Sequence, residues 1–588
     1  MGTKARAKRQ RASGFDWILK GLDAGLLFVL PLIFYRGFAE QFSTGKTLLA
    51  QALVALGLAA WSAALRLGKT RWPSSFKLAL PLGALAAAAL ISCLNSPAPS
   101  FSLIEAEYFL SGPLWLLMWV TWSSGVADVR RAAKFVAAAG GVAAAVALLQ
   151  WAGHDPLLFG GYGVPWGTMV PRMRLYSTFG NPNLLCGYLI GAIFPALALA
   201  LIARSQAGKI GAWCSAAFVL AAIVGTGSYG GWAALIAGAI AAGLVYRAAQ
   251  RGQRAGGAQL PKMAMKSALP VWLVAALVLQ ASVDPSLLSR AQGRLFLWRA
   301  AWPMFREHPL IGSGWGTFQL RFLELQAQFL AAHREWTRLW TMALEAHNDP
   351  YQILLETGLL GIAALVWLAV EYGRGVWTLA HSGSSRESVL WLSAGAGGVV
   401  AIFTNSLVNF QLAVAPTLIL LFTLLGIPQK LAPQAESAPL RAVNRRATLP
   451  AAAGFIALCG GLFWGVASRA VGEMKYQAAL EFESQGDFAA AEQSDRAGIA
   501  AAPWNGRLRF ALARALYLQQ KYPDALAEAR LAERAFSDSH LEVLKARILD
   551  RVGRGPEALA SYRRALYLDP TLKTVQSDIE RLEQIPSN

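Results

Sequence analysis

The chain has 588 residues, 55% of them hydrophobic and only 15% charged. A soluble globular chain carries about 25% charged residues, so this composition excludes an ordinary soluble domain and points to a membrane protein. Lys and Arg number 54 against 34 Asp and Glu, an excess that reads first as membrane topology and only second as nucleic-acid binding. Cys93, Cys186, Cys214 and Cys459 all lie in apolar runs without CxxC or Cys/His spacing, which excludes a disulfide framework and a structural zinc site as organising features.

A bilayer core about 30 Å thick needs roughly 20 apolar residues of helix. The pattern predicts about thirteen spans, near 22–38, 46–66, 77–94, 108–123, 132–151, 182–203, 211–226, 230–246, 266–283, 352–371, 388–404, 411–427 and 450–469. The basic N-terminus, residues 1–21, is read as cytoplasmic. Alternate connections then hold Arg66/Lys69/Arg71/Lys77, Arg130/Arg131/Lys134, Arg204/Lys209, Arg247/Arg251/Arg254/Lys262/Lys266, Arg374/Arg386 and Lys430/Arg441/Arg445/Arg446. The short loops 95–107, 226–230 and 405–410 contain neither Lys nor Arg. This alternation is the positive-inside signature, and it absorbs the charge excess.

The first span has the basic flank of a signal peptide, yet no small-x-small site follows and Arg36 and Glu40 occupy its exit; it reads as an uncleaved anchor. The span 388–404 is the least apolar, and its Gly395, Gly397 and Gly398 predict close helix packing. Residues 22–430 form the multi-span domain, 431–449 a cytoplasmic linker and 450–470 a final span. Two outside segments are long, 152–181 and 284–350. An odd number of spans places everything after 470 outside, on the periplasmic face of a bacterial inner membrane.

Residues 473–572 turn charged and alanine-rich, ahead of a tail at 573–588. They repeat Gly486-Asp487-Phe488-Ala489-Ala490, Lys521-Tyr522-Pro523-Asp524-Ala525 and Arg554-Gly555-Pro556-Glu557-Ala558 at a spacing of about 34 residues. This resembles tetratricopeptide repeats, helical hairpins that stack on a shared face. The expected role is docking of a protein partner, with a stabilising cap as the plainer reading.

Two segments at the outer face carry chemistry. In Ser177-Thr178-Phe179-Gly180-Asn181-Pro182-Asn183, Asn181 is a good N-cap and Pro182 fits the first helical position. In Ala346-His347-Asn348-Asp349-Pro350-Tyr351, Asp349 can cap and Pro350 can start a second helix descending from the same side. Helix N-termini offer unpaired N–H groups and about half a positive charge, which favours phosphates. Arg172 and Arg174 precede the first start, while Arg290, Arg294 and Arg299 lie before the second. Arginine suits a diphosphate because its planar fork bonds two oxygens; Arg299 and Arg306 are read instead as reaching lipid headgroups. A loop histidine is usually structural, but His347 at a helix start is held neutral and can accept a proton.

These residues resemble a family. STFGNPNLLCGYL and AHNDPYQILLETGLLG, with GRLFLWRAAWPMFREHPLIGSGWGTF between them, are similar to the O-antigen ligase family, whose superfamily includes O-antigen polymerases and pilin-type protein O-oligosaccharyltransferases. The resemblance spans roughly residues 20–430; the repeats and the thirteenth span are additions. It implies an all-α, polytopic glycosyltransferase of the GT-C type. Its reaction is metal-independent transfer of a glycan from undecaprenyl diphosphate to a lipid, glycan or protein acceptor at the periplasmic face, with no cofactor. His347 takes the role of base and Arg294 of diphosphate contact, with Arg172, Arg174, Asn181, Asn183, Asn348 and Tyr229 as further substrate contacts. Family members often carry Ser-Arg-Gly-aromatic near the outer end of a mid-chain span. Here the stretch is Gly227-Ser228-Tyr229-Gly230-Gly231-Trp232, so Tyr229 stands where that arginine would be, leaving Arg172 or Arg174 to replace its charge.

No pair of outside carboxylates is placed for glycoside hydrolysis, since Glu324 and Glu335 read as solvent faces of a loop helix. Leu295, Trp298, Trp302 and Phe305 have helical spacing and are expected either to pack or to cover the site from the membrane surface. Ligation leads among the transfer reactions, with polymerisation and transfer to protein as alternatives. A non-catalytic scaffold, with the repeats as its working part, is the rival from another class. A transporter is disfavoured because mid-span ionisable residues are few.

Overall fold

The computed structural model describes residues 16–66, 76–122, 125–157, 175–254, 286–432 and 445–584, and among these the chain is helical without strands. Apolar segments in lipid fold as helices because each backbone group then finds its partner within the segment. Seven helices are long and apolar enough to cross a membrane: Thr44–Ala64, Val126–Trp151, Pro182–Ile202, Gln206–Gly225, Tyr229–Arg251, Asp349–Ala380 and Arg386–Ser406. Ala79–Asn95 and Ala415–Leu431 are apolar but shorter. The chain is a multi-pass membrane protein. Helices Asp16–Ala24, Pro99–Trp122 and Arg445–Ser484 fall on three further expected spans without being among these nine. The expected span 266–283 lies outside the described residues.

Pro182–Ile202 runs through the middle, with 83% of its apolar window buried. Small residues let its neighbours approach closely. A Cβ added at Gly398 would meet the carbonyl oxygen of Gly191 at 3.2 Å, and one at Gly238 would meet the carbonyl oxygen of Gly397 at 2.5 Å. The glycines of the 388–404 segment are therefore contact points between helices, as their spacing predicts.

The two ends of the bundle differ in chemistry. At one end Arg131 pairs with Asp23 at 2.6 Å and Asp128 at 2.8 Å, Lys430 with Asp128 at 3.3 Å, and Arg130 with Glu387 at 2.5 Å. Buried charges persist in such a setting because each has a partner. At the other end gather the turn at 93–98, the segments 175–181 and 405–414, and the connection 286–348. Asn95, for example, donates to the carbonyl of Gly312 at 2.9 Å. The connection is folded: helices Ser286–Glu307 and Phe318–Ala332 share a core of Phe296, Phe318 and Phe322.

One helix of 40 residues, Arg445–Ser484, carries both the expected last span and the start of the C-terminal domain. The break expected near 470–473 is absent because Ser468–Ser484 is rich in good helix formers. Helices Phe488–Ala501, Gly506–Leu518, Tyr522–Ala532, Ser539–Arg551 and Gly555–Leu568 then pack each on the next, closed by Gln576–Glu583. Asp487, Asn505 and Asp538 cap three of them by accepting backbone N–H bonds. This helical arm lies against the membrane part at both its ends. Near its start Arg469 pairs with Glu105 at 3.0 Å and Trp504 meets Phe101, ring centroids 6.5 Å apart. Near its far end Arg564 pairs with Glu324, Trp340 donates its indole N–H to the carbonyl of Leu568 at 2.9 Å, and Leu568 packs on Leu323 and Ala327. Glu324 is thus a docking contact for the arm, which corrects its reading as a mere solvent face.

Candidate functional site

Asn181 caps Pro182–Ile202 as the sequence predicts, its side chain accepting the N–H of Asn183 at 2.8 Å with Pro182 at the first position. The second helix start differs from the expectation. Asn348, not Asp349, is the cap of Asp349–Ala380: its backbone is extended, and its side-chain oxygen accepts the N–H of Tyr351 at 3.0 Å. Asp349 is buried in the first turn, where it accepts the N–H groups of Gln411 and Leu412 at 2.8 and 3.2 Å. A second chain segment with orphan donors outcompetes the local cap for its carboxylate. Asn348, expected as a substrate contact, has its side-chain oxygen committed to holding the helix start.

His347 adopts φ 52°, a left-handed conformation rare outside glycine. Its neighbours hold it there. Ala346 donates its N–H to Gln352 Oε1 at 2.9 Å, and its carbonyl accepts Trp298 Nε1 at 2.9 Å. Tyr351 in turn donates its hydroxyl to the Trp298 carbonyl at 2.6 Å. The imidazole packs edge-on against Phe410, centroids 4.9 Å apart, and its Nδ1 is buried without a hydrogen-bond partner among the described residues. Burial, and then the Arg294 guanidinium, bring its pKa down to about 4. The ring is neutral at pH 7 with a nitrogen available as acceptor; burial does most of what the sequence reading credited to the helix N-terminus.

Arg294 reaches this place from the helix Ser286–Glu307, with Asn409 Oδ1 3.5 Å from its Nη2. One turn earlier, the Arg290 guanidinium lies over the Tyr229 ring, 5.6 Å from its centroid. Tyr229 opens the helix Tyr229–Arg254, and a Cβ on the next residue, Gly230, would touch Val408, Asn405 and Asn409. A cation therefore does stand at the Tyr229 position, supplied by Arg290. Arg172 and Arg174 lie outside the described residues. The i, i+4 spacing of Arg290 and Arg294, which the sequence reading did not use, is the signal that could have found this pair.

His347, Asn181 and Asn183 line one cavity of about 550 Å³, together with Asn409, Phe410, Glu345, Lys46 and Arg507. Lys46 is not a free cation there. It donates to the carbonyls of Ile33, Phe42 and Thr178 at 2.6, 3.0 and 2.6 Å. Glu345 is held well above the usual carboxylate range by burial and then by the Glu356 carboxylate, with Asp349 and Glu105 adding to it. Arg507 comes from the C-terminal arm, where its guanidinium lies 5.7 Å from the Tyr476 ring centroid. No motif at 507 announced that it belongs to this cavity. Glu345 and Asn409 were missed for the same reason: their placement depends on contacts far apart in sequence.

The segment His308-Pro309-Leu310-Ile311-Gly312-Ser313-Gly314-Trp315-Gly316 clamps the histidine-bearing helix. Glu356 accepts the N–H groups of Gly316 and Phe318 at 2.8 and 3.1 Å. Leu359 and Leu360 donate to the carbonyls of Pro309 and Leu310 at 2.9 and 3.1 Å. Gly358, at φ 65° and ψ −159°, kinks the helix in a region essentially reserved for glycine. A Cβ there would lie 2.5 Å from the Leu310 backbone. Trp298 belongs to the same scaffold, while Leu295 and Trp302 remain 40% and 42% exposed.

Residues 214–366 match the family model described as O-antigen ligase. The matched stretch holds Tyr229, Arg290, Arg294, His347 and the Glu356–Gly358 clamp, and it supports a membrane glycan ligase or polymerase type of function. It is narrower than the stretch over which the sequence motifs resemble that family, leaving out the Asn181 helix start and the arm. Comparison with curated proteins gave no match.

Proposed function

We propose that this chain transfers a glycan from undecaprenyl diphosphate to an acceptor hydroxyl at the extracytoplasmic face of a bacterial inner membrane. The observation that carries the reading is His347: neutral, with a buried nitrogen that has no partner among the described residues, set between a cationic pair and a cavity of glycan size. In the proposed step the imidazole takes the proton of the acceptor hydroxyl as its oxygen attacks the anomeric carbon. The bond from that carbon to the diphosphate oxygen breaks, and the leaving diphosphate keeps the electron pair. Arg294 and Arg290 face the developing charge, and such cationic contacts act most strongly where water is excluded.

Beside the site an apolar cavity of about 520 Å³ begins at Asp349 and Pro350 and continues past Ile353, Val245, Leu365 and Leu425. Its lining suits the isoprenoid tail of the carrier, which supports reading the helix start as the place of the diphosphate. Ligation to a lipid or cell-wall acceptor is the leading reaction, with polymerisation or transfer to protein using the same donor. The C-terminal helices are read as tetratricopeptide-type hairpins whose first task is intramolecular: docked at both ends, they bring Arg507 to the cavity of His347, where it is read as an acceptor contact. Their outer face remains for a protein partner.

The test is transfer from a labelled undecaprenyl-diphosphate oligosaccharide by the purified full chain, with lipid, glycan and protein acceptors side by side. His347→Ala is expected to abolish transfer while leaving expression intact. Unchanged transfer by that variant removes the catalytic assignment and leaves the scaffold reading.

A further inference from the structure

The helix Ser286–Glu307 carries a second feature on the face that presents Arg294. One and two turns on stand Trp298 and Trp302, and they open on a separate cavity of about 630 Å³, walled also by Trp336 and Tyr351, with His333 and Glu335 at its rim. The rings are held in place. Trp298 and Tyr351 are fixed by their hydrogen bonds to the Ala346 and Trp298 carbonyls at 2.9 and 2.6 Å. Trp336 is stacked by Phe296 on a 6.2 Å centroid distance and covered by the Arg299 guanidinium at 5.4 Å. Arg299, read from sequence as a headgroup contact, thus braces this wall. Trp302 keeps an accessible surface, 42% exposed, and lies within 12° of parallel to the Tyr351 ring.

Aromatic residues on a membrane protein commonly sit at the bilayer interface. This group differs because it is concave, sits on a folded connection between spans, and has an imidazole and a carboxylate 3.7 Å apart at its edge. A hydrated, ring-shaped ligand with an apolar C–H face and a hydroxyl rim matches that layout: the exposed Trp302 ring takes the C–H side, His333 and Glu335 take hydroxyls. The volume falls in the ordinary range for small-ligand sites. Eight residues of helix separate Trp302 from Arg294, about 12 Å along the axis, a span that a short oligosaccharide bridges.

We propose that this aromatic cleft is a second glycan subsite, holding the donor sugars beyond the reacting one. The assignment rests on reading the chain as a glycan transferase with its diphosphate at Arg294. The first test is binding alone: saturation-transfer NMR on the full chain in phosphatidylcholine nanodiscs, with free tetrasaccharides of glucose, mannose, rhamnose or glucuronate as probes. At least one probe is expected to receive saturation. Trp302→Ala weakens its binding by about 3- to 10-fold, whereas Trp302→Phe retains it. No transfer of saturation to any probe, or an unaltered signal in Trp302→Ala, overturns the subsite.

The second test uses undecaprenyl-diphosphate donors bearing one or four sugars. Trp302→Ala should lower kcat/KM for the longer donor and leave the shorter one unchanged; a penalty that follows acceptor length overturns the donor assignment. Absence of glycan transfer by the unmodified chain condemns the transferase reading, while the binding measurement still judges the cleft.

Discussion

Trp298 donates its indole N–H to the carbonyl of Ala346 at 2.9 Å, and that bond sets the residue next to Ala346, His347, in its left-handed conformation. A tryptophan some fifty positions upstream therefore aims the imidazole. Trp298→Phe keeps the ring and removes the donor. It is expected to lower kcat by about 10- to 100-fold through misplacement of the base, with the donor KM little changed. Steady-state kinetics on the folded variant check this, and an unchanged kcat would show that the loop holds itself.

The histidine is also expected to set the pH response. Its folded pKa of about 4 lies below the ordinary histidine value of 6.5, so the unfolded chain binds the proton more readily. Stability from this group is present above about pH 6.5 and fades as pH falls toward 4. Transfer should hold its rate down to about pH 5 and decline on a limb near 4. Arg294→Gln removes the second cause of the depression and should move that limb to higher pH. A pH–rate profile that stays in place in Arg294→Gln separates the arginine from the imidazole.

Gly358 joins the histidine-bearing turn to the rest of its helix. Gly358→Ala is expected to destabilise the fold by at least about 1–3 kcal/mol from backbone strain, before the approach to Leu310 is counted. Thermal unfolding in detergent gives the measure. A variant as stable as the parent would mean that the kink relaxes.

Lys46 and Arg507 line the same cavity, yet their substitutions should read differently. Lys46→Met leaves the carbonyls of Ile33, Phe42 and Thr178 without their donor, at about 1–3 kcal/mol for each group left buried and unsatisfied. Lower thermal stability is the expected outcome, with KM values retained in the surviving fraction.

Arg507→Ala should raise the acceptor KM by about 10-fold while thermal stability and donor KM hold. Arg564→Glu, which sets a carboxylate against Glu324 at the docked end of the arm, should act in the same direction more weakly, because exposed ion pairs contribute at most about 1 kcal/mol. Glu324→Arg added to it should restore the parent value. Kinetics with varied acceptor distinguish all three, and an acceptor KM indifferent to Arg507 would return the arm to a purely external role.

The amino-acid order by itself determined the seven long apolar helices and the two shorter ones among the thirteen expected spans, the close glycine contacts of 388–404, the Asn181 cap and the choice of His347 and Arg294 as the residues of interest. Those features follow from local rules: apolar length, small side chains and cap chemistry within a few residues. Tertiary structure decided the rest. Asp349 left its expected cap because the 411–412 amides needed an acceptor, Arg290 came to lie over the Tyr229 ring, and Arg507 entered the cavity of His347 from 160 positions further along the chain. Each outcome turns on which buried donor or charge finds its partner once distant segments pack, and that competition is not written in any short stretch of sequence.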